Sequence, residues 1–182
     1  PNNKLNVEVA IDQKIKYSVI HDNDTVLYPS DISMLLDKDR AFGIRSKVKA
    51  VKRKSVATTI DAPFYKRSAV QDNYNELRIE FSDAFELVFR AYDEGMAYRF
   101  VSVSKESFVV RDEEACFDLG YDSKAFIPYV RSNEDTFERQ YFNSFENIYA
   151  YENTTDWNKK KLAFSPIVIE RKNGKKIAIA EG

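Results

Sequence analysis

Cysteine, histidine and glycine are all scarce in this chain. Its 182 residues include one cysteine, Cys116, one histidine, His21, and five glycines. A single cysteine excludes an internal disulfide and any cysteine cluster for zinc. With so few glycines there is no glycine-rich phosphate loop. No stretch approaches the roughly 20 apolar residues that a membrane-spanning helix needs. Neither charge dominates: 28 basic side chains face 29 acidic ones, for a formal charge of -1 and a pI near 6.0. No global field draws the chain to nucleic acid or to an anionic membrane, and neither is expected as a partner. The opening "PNNKLNVEV" reads as the approach to a strand rather than as a signal peptide, and for an exported protein the expectation is that the signal has been removed.

The same scarcity limits the chemistry. A serine or cysteine nucleophile usually needs a base, and His21 in "VIHDNDT" reads as an exposed turn residue. Cys116 in "EEACFDL" has no nearby cation to lower its pKa and reads as a buried small residue. Asp22-Asn23-Asp24 imitates the start of an EF-hand loop but lacks the central glycine and closing glutamate, so it reads as a turn.

What the chain does have is alternation. In residues 74–100, "YNELRIEFSDAFELVFRAYDEGMAYRF", Leu77, Ile79 and Phe81 alternate with Arg78 and Glu80. Phe85, Leu87 and Phe89 alternate with Glu86 and Arg90, and Met96, Tyr98 and Phe100 with Ala97 and Arg99. Period two means strands, here a three-stranded meander. Keeping the apolar sets on one face pairs Phe81 with Phe85, Ile79 with Leu87 and Leu77 with Phe89. The next turn then pairs Phe89 with Phe100 or with Tyr98, and Gly95 is expected to supply a positive φ there. Asp93 and Glu94 read as turn residues rather than as a catalytic pair.

The same pattern recurs elsewhere. Leu5, Val7, Val9 and Ile11, then Ile15, Tyr17 and Val19, predict two strands around Asp12-Gln13-Lys14. "TVLY" reads as a short strand closed by Pro29, and residues 31–42, "DISMLLDKDRAF", have the one helix-like spacing. "KVKAVKRK" at 47–54 lies in a basic strand over 45–56 and reads either as a polyanion site or as a lysine-protected sheet edge, the latter preferred. A loop around Pro63 leads on to the meander, and "ESFVVRD", "KAFIPYV" and "FERQYFNSFENIYAYEN" follow it. Asn173-Gly174 marks a terminal type I′ hairpin that pairs Lys172 with Lys175 and Val168 with Ile179, with apolar residues on both faces. Trp157 in "TTDWNKKK" is the one tryptophan and reads as partly exposed, either as a carbohydrate-binding platform or as a ring folded back on its own domain. Many short strands and almost no helix predict an all-β, antiparallel β-sandwich, and the length of 182 residues suits a single domain.

"YNELRIEF" followed by "FRAYDEGMAYRF" resembles the signature of the N-terminal domain of glycoside hydrolase family 97. "FNSFENIYAYE", "LAFSPIVIERKNGKKIAIAEG" and the opening "KLNVEVAIDQKIKYSVIHDNDTVLYPS" resemble further family segments in the expected order, so the resemblance runs from end to end. It implies an α-glucosidase or α-galactosidase of the kind typical of Bacteroidetes, with an N-terminal β-super-sandwich, a catalytic (β/α)-barrel and a small C-terminal β-domain. Residues 1–182 would then be the first of these, as a fragment without the barrel. The catalytic carboxyls would lie on the barrel, and none is expected among residues 1–182. Glu181 in "AIAEG" matches a glutamate that in the family reaches an active-site calcium, so calcium is the cofactor implied for the intact enzyme.

Two functional readings lead, with a third behind them. One is a scaffold that packs on the barrel of the same polypeptide and completes a site for an oligosaccharide substrate. The other is a free-standing carbohydrate-binding β-sandwich. An adhesin-like structural domain rests on fold alone. The resemblance implies a periplasmic or secreted location.

Overall fold

The computed structural model describes residues 4–120, 123–132 and 134–181. The protein is all-β, with thirteen strands and one short helix among those residues. It divides into two compact units, residues 1–118 and 119–182.

In the first unit, β1 (Leu5–Ile11) and β2 (Ile15–His21) form the expected hairpin, with Ile11 opposite Ile15 and Val9 opposite Tyr17. β2 pairs with β3 (Asp24–Leu36), which carries β4 (Ala41–Phe42) and β9 (Val110–Ala115). The second sheet has the order β5 (Val48–Asp61), β6 (Ala69–Phe81), β7 (Phe85–Ala91), β8 (Met96–Ser102). The two sheets face each other through aromatic rings. Tyr17 lies 5.9 Å from Phe89 and 5.5 Å from Tyr98, and Phe42 stacks on Phe85 at 4.6 Å. Ile15, Tyr17, Ile32, Phe85, Leu87 and Phe89 are fully buried there, and each is worth about 1.5–3 kcal/mol of transfer free energy. That packing is the sandwich.

The meander keeps the expected register. Ile79 pairs with Leu87, Leu77 with Phe89, and Phe89 with Tyr98, so the longer of the two allowed loops is used at the second turn. The turn chemistry differs from expectation. Gly95 does not adopt a left-handed φ, because the four-residue loop closes through Tyr92 N donating to Gly95 O at 2.8 Å without one. At the first turn, Ala84 takes the left-handed conformation, with φ 59°.

Three further expectations change. Residues 31–42 are not helical: they complete β3, turn through Lys38 and Asp39, both left-handed, and enter β4. Ile32 and Leu36 are four apart, a spacing that fits a helix turn and alternate strand positions equally, and pairing with β2 and β9 decides for strand. Pro29 does not close a strand but sits inside β3 at a bulge, where Tyr28 and Pro29 together oppose Ser18 and no ladder donor is required. Cys116 is exposed, not buried.

β5 is an edge strand, as the lysine-protected reading requires. It runs longer than expected, pairing with β6 as far as Asp61 and Ala69, so the loop around Pro63 is confined to 62–68.

The second unit is one sheet of order β11 (Ala150–Asn153), β10 (Ser123–Ile127), β12 (Ile167–Arg171), β13 (Lys176–Ile179), with the helix α1 (Phe137–Gln140) before β11. Ala125, Ile127, Val130 and Ile169 are buried at its core. The terminal hairpin is displaced by one residue from the expected register: Val168 faces Ala178, and Ile169 faces Ile177. Gly174 alone is left-handed, at φ 82°, and its N–H donates to Arg171 O at 2.9 Å. That is a three-residue loop rather than a type I′ turn. The slip collects Ile167, Ile169, Ile177 and Ile179 on one face and leaves Ala178 exposed on the other, so the strand pair is not covered equally on both sides.

Candidate functional site

The polar face of the meander carries the most concentrated charge. Glu76 on β6 is almost wholly buried beneath cations from both neighbouring strands. Arg90 Nε donates to its carboxylate at 3.0 Å, Lys54 Nζ lies at 3.4 Å and Arg78 at 3.7 Å. The alternation that sends Leu77 and Ile79 inward sends Glu76, Arg78 and Glu80 to this side, where Arg78 pairs with Glu86 and Lys52 with Glu80. Burial works against the ionised form of Glu76, but hydrogen bonds from Arg90 and Lys54 outweigh it and hold the carboxyl below the usual range. Arg90 also caps the Tyr74 ring at 4.4 Å. A carboxylate so held does not donate a proton near neutral pH, so the cluster clamps β5, β6 and β7 together and is no general acid.

A second cluster joins the β1–β2 turn to β3 and β9. Lys14 Nζ donates to both oxygens of Glu114, at 2.8 and 2.9 Å, and lies 3.1 Å from Asp31. Ser33 Oγ also donates to Glu114, at 2.9 Å. The Lys14 hydrogen bond holds Glu114 below its ordinary range. Two carboxylates tied by one lysine again make a clamp.

Asp93 and Glu94 lie exposed in the β7–β8 loop, as turn residues. His21 ends β2, half-buried, 3.4 Å from Asp22, and Asp22 and Asn23 take left-handed φ values in the turn that follows. Beside this turn lies an open cleft of about 960 Å³, lined among others by Lys4, Asn6, Asp22, Arg53, Asn75 and Leu77. Phe89 forms part of its floor but is buried, so the cleft offers hydrogen-bonding groups without an exposed ring for stacking.

In the second unit Trp157 is half-buried, and its indole nitrogen is enclosed without a hydrogen-bond partner. The backbone beside it is pinned: Asn158 N donates to Tyr129 Oη at 2.9 Å, and Tyr129 in turn donates to Glu152. Burial, then the bond to Glu152, push the Tyr129 phenol up to about 12. Glu181 is exposed just beyond β13. It offers one carboxylate, whereas calcium takes about six to eight oxygens. No group of three or more histidine, cysteine or acidic side chains able to hold a metal occurs among the described residues.

Sequence reasoning missed Gln140, which is fully buried in the second unit. Its amide donates to the Glu134 and Lys160 carbonyls at 3.0 and 2.8 Å and accepts from Leu162 N at 2.7 Å. A lone glutamine in an aromatic run gives no periodic signal. The Glu76 clamp was more legible, since Lys52 and Lys54 sit on a strand adjacent to one that alternates with glutamates.

Comparison with known proteins agrees with this all-β architecture. The model of the glycosyl-hydrolase 97 N-terminal family matches residues 1–182. A retaining alpha-galactosidase from Bacteroides thetaiotaomicron is 36% identical over 182 residues, which are 100% of this chain and 28% of that protein. Among solved structures, a glycoside hydrolase family 97 enzyme from Pseudoalteromonas sp. strain K8, in complex with panose, matches with a TM-score of 0.77 at 19% identity. The match covers 96% of this chain and 26% of that one. A beta-arabinopyranosidase matches with a TM-score of 0.80 at 19% identity, over 96% of this chain and 29% of that one. At such identity these two structures speak to the fold alone. With its whole length matched by the family model and by a relative at 36% identity, the chain belongs to the glycosyl-hydrolase 97 N-terminal family.

Proposed function

We propose that this chain is the non-catalytic N-terminal scaffold of a glycoside hydrolase acting on α-galactosides or α-glucosides. It packs on a catalytic (β/α)-barrel of the same polypeptide and completes that barrel's active site for an oligosaccharide substrate. The observation that carries the reading is the match of the entire chain to 28% of a retaining alpha-galactosidase. The chemistry of the carboxylates supports it. Glu76 and Glu114 are held ionised by cations in structural clamps, and Asp93 and Glu94 are turn residues. Glycoside cleavage needs two carboxyls free to exchange protons or attack on either side of the bond. In this reading Glu181 contributes one calcium ligand to a site whose other oxygens come from the barrel, and the enzyme works in the periplasm or outside the cell.

The test compares the natural full-length chain with residues 1–182 expressed alone, using aryl α-galactoside and aryl α-glucoside. The full chain is expected to hydrolyse at least one, and the shorter protein neither. Turnover by residues 1–182 that disappears on Asp93→Asn with Glu94→Gln would overturn the scaffold reading. In the full chain, Glu181→Gln is expected to weaken calcium binding by calorimetry and to slow turnover, with folding unchanged. Unchanged calcium affinity would remove Glu181 from the metal site.

A further inference from the structure

The segment from α1 to β11 holds its large apolar side chains outward. Phe142 is 91% exposed, Ile148 84% and Tyr141 60%, with Phe137 and Phe145 also open to solvent. Isolated exposed apolar residues are ordinary; a run of them within a dozen positions marks an interaction surface.

The inner side of the same segment is firmly anchored. Gln140, fully buried, ties α1 to the carbonyls of Glu134 and Lys160 and to the N–H of Leu162. Asn147 donates to Tyr129 O at 2.8 Å and accepts from Arg131 Nε at 3.1 Å and Ile148 N at 2.9 Å. Phe145 and Tyr149 set their rings edge-on to Phe164 at 5.8 and 6.4 Å. One buried amide, Gln140, and one half-buried amide, Asn147, fix the backbone from within while the largest apolar side chains point out, and together they build a pre-ordered face. Such a face loses little conformational freedom when something covers it.

We infer that this face, residues 137–149, is where the chain docks on the catalytic portion of its own polypeptide. The inference rests on the scaffold reading above. Two observations choose this occupant. The greater part of each relative's length lies outside the matched region, so the family's chains carry a large body for such a face to meet. The stretch is net acidic: Glu134, Asp135, Glu138 and Glu146 outnumber Arg131 and Arg139, and Arg139 is already paired with Glu134 at 3.5 Å. A two-fold partner made of a second copy would bring the same acids against themselves, which is unfavourable. The complementary surface is an apolar socket with a basic rim on the catalytic portion.

The test uses the natural full-length chain with two double variants: Phe142→Ser with Ile148→Ser, and, as a control, Phe64→Ser with Tyr65→Ser, an exposed apolar pair at the β5–β6 turn. Limited proteolysis follows release of the N-terminal region, and light scattering follows oligomeric state. The first variant is expected to release the region about tenfold faster or more, the effect of losing central hot-spot contacts, and the control to behave as wild type. Because the substituted side chains are exposed, the far-ultraviolet spectrum should not change. Glu138→Lys with Glu146→Lys, which spares the apolar centre, is expected to speed release several-fold at low salt and less at high salt. If the full chain hydrolyses α-glycosides but the Phe142, Ile148 variant is released no faster than the control, this docking face is wrong and the scaffold reading stands. If the variant instead separates an oligomer with its release unchanged, the occupant is a second copy and the inference fails. If the full chain has no glycosidase portion, the scaffold reading itself fails, and this inference with it.

Discussion

The two units use aromatic side chains in opposite ways. In the first, Tyr17, Phe42, Phe81, Phe85 and Phe89 are buried between two sheets and touch one another ring to ring. In the second, the core is aliphatic, and Phe137, Tyr141, Phe142, Phe145 and Tyr151 lie exposed. Residue type therefore does not decide burial. Phe81, Phe85 and Phe89 sit at alternate positions of strands that carry Glu80, Glu86 and Arg90 on the other face, and a sheet with a polar face must bury its apolar one. The most exposed aromatics of the second unit, Tyr141 and Phe142, lie in a stretch with no such period. Aromatics in alternation report a core, and aromatics without alternation report a surface kept for something else.

The contrast is most directly broken by truncation. Phe85→Ala removes a ring stacked on Phe42 and on Phe81, the latter at 4.4 Å, and is expected to cost about 3–5 kcal/mol in urea unfolding of residues 1–182. Phe142→Ala in the same protein should stay within about 0.5 kcal/mol. Comparable losses at the two positions would show that Phe142 also belongs to a core.

The charged face of the first unit gives a smaller and pH-dependent effect. Glu76→Gln is expected to cost about 1.5–3 kcal/mol at neutral pH, because Arg90 and Lys54 lose their charged partner. The folded-state pKa of Glu76 is lowered, so its contribution is fully present above the ordinary glutamate value of about 4.3 and is lost as pH falls through the lower folded value. Stability curves of wild type and variant, measured by urea midpoint, should thus converge below about pH 4. A gap that stayed constant down to low pH would mean that packing, not charge, sets the cost.

The smallest effect separates two glycines. Gly174→Ala places a Cβ on a left-handed residue at φ 82° and should cost about 1 kcal/mol, although the space around it is open. Gly95→Ala, without a left-handed φ and equally open, should be neutral or slightly stabilising. Equal changes at both glycines would mean that the conformational difference between their turns does not persist in solution.

These glycines also mark how far local sequence could be read. The meander register was legible because three consecutive apolar sets had to share one face, and few loop lengths allow that. The terminal hairpin was misread by one residue because Asn173-Gly174 suits a type I′ turn locally, while the isoleucines of both strands share a face only through the longer loop. Residues 31–42 failed for a related reason, since the spacing of Ile32 and Leu36 satisfies both periods until β2 and β9 are in place. The Glu76 clamp was half legible, as acids and lysines on adjacent strands. Gln140 was not legible, because its three hydrogen bonds go to backbone groups, two of them about twenty residues away.

By itself the sequence determined the all-β class, the register of the first meander hairpin and the family, because alternation and short motifs act between near neighbours; it left the second meander turn with two loop lengths and the lysine-rich strand with two readings. Tertiary structure alone decided the strand state of 31–42, the slipped hairpin, the exposure of Cys116 and the outward-facing aromatic segment. Each of these depends on which distant backbone or apolar face is available to pair with, and the free energy of that pairing outweighs a local preference of about 1 kcal/mol or less.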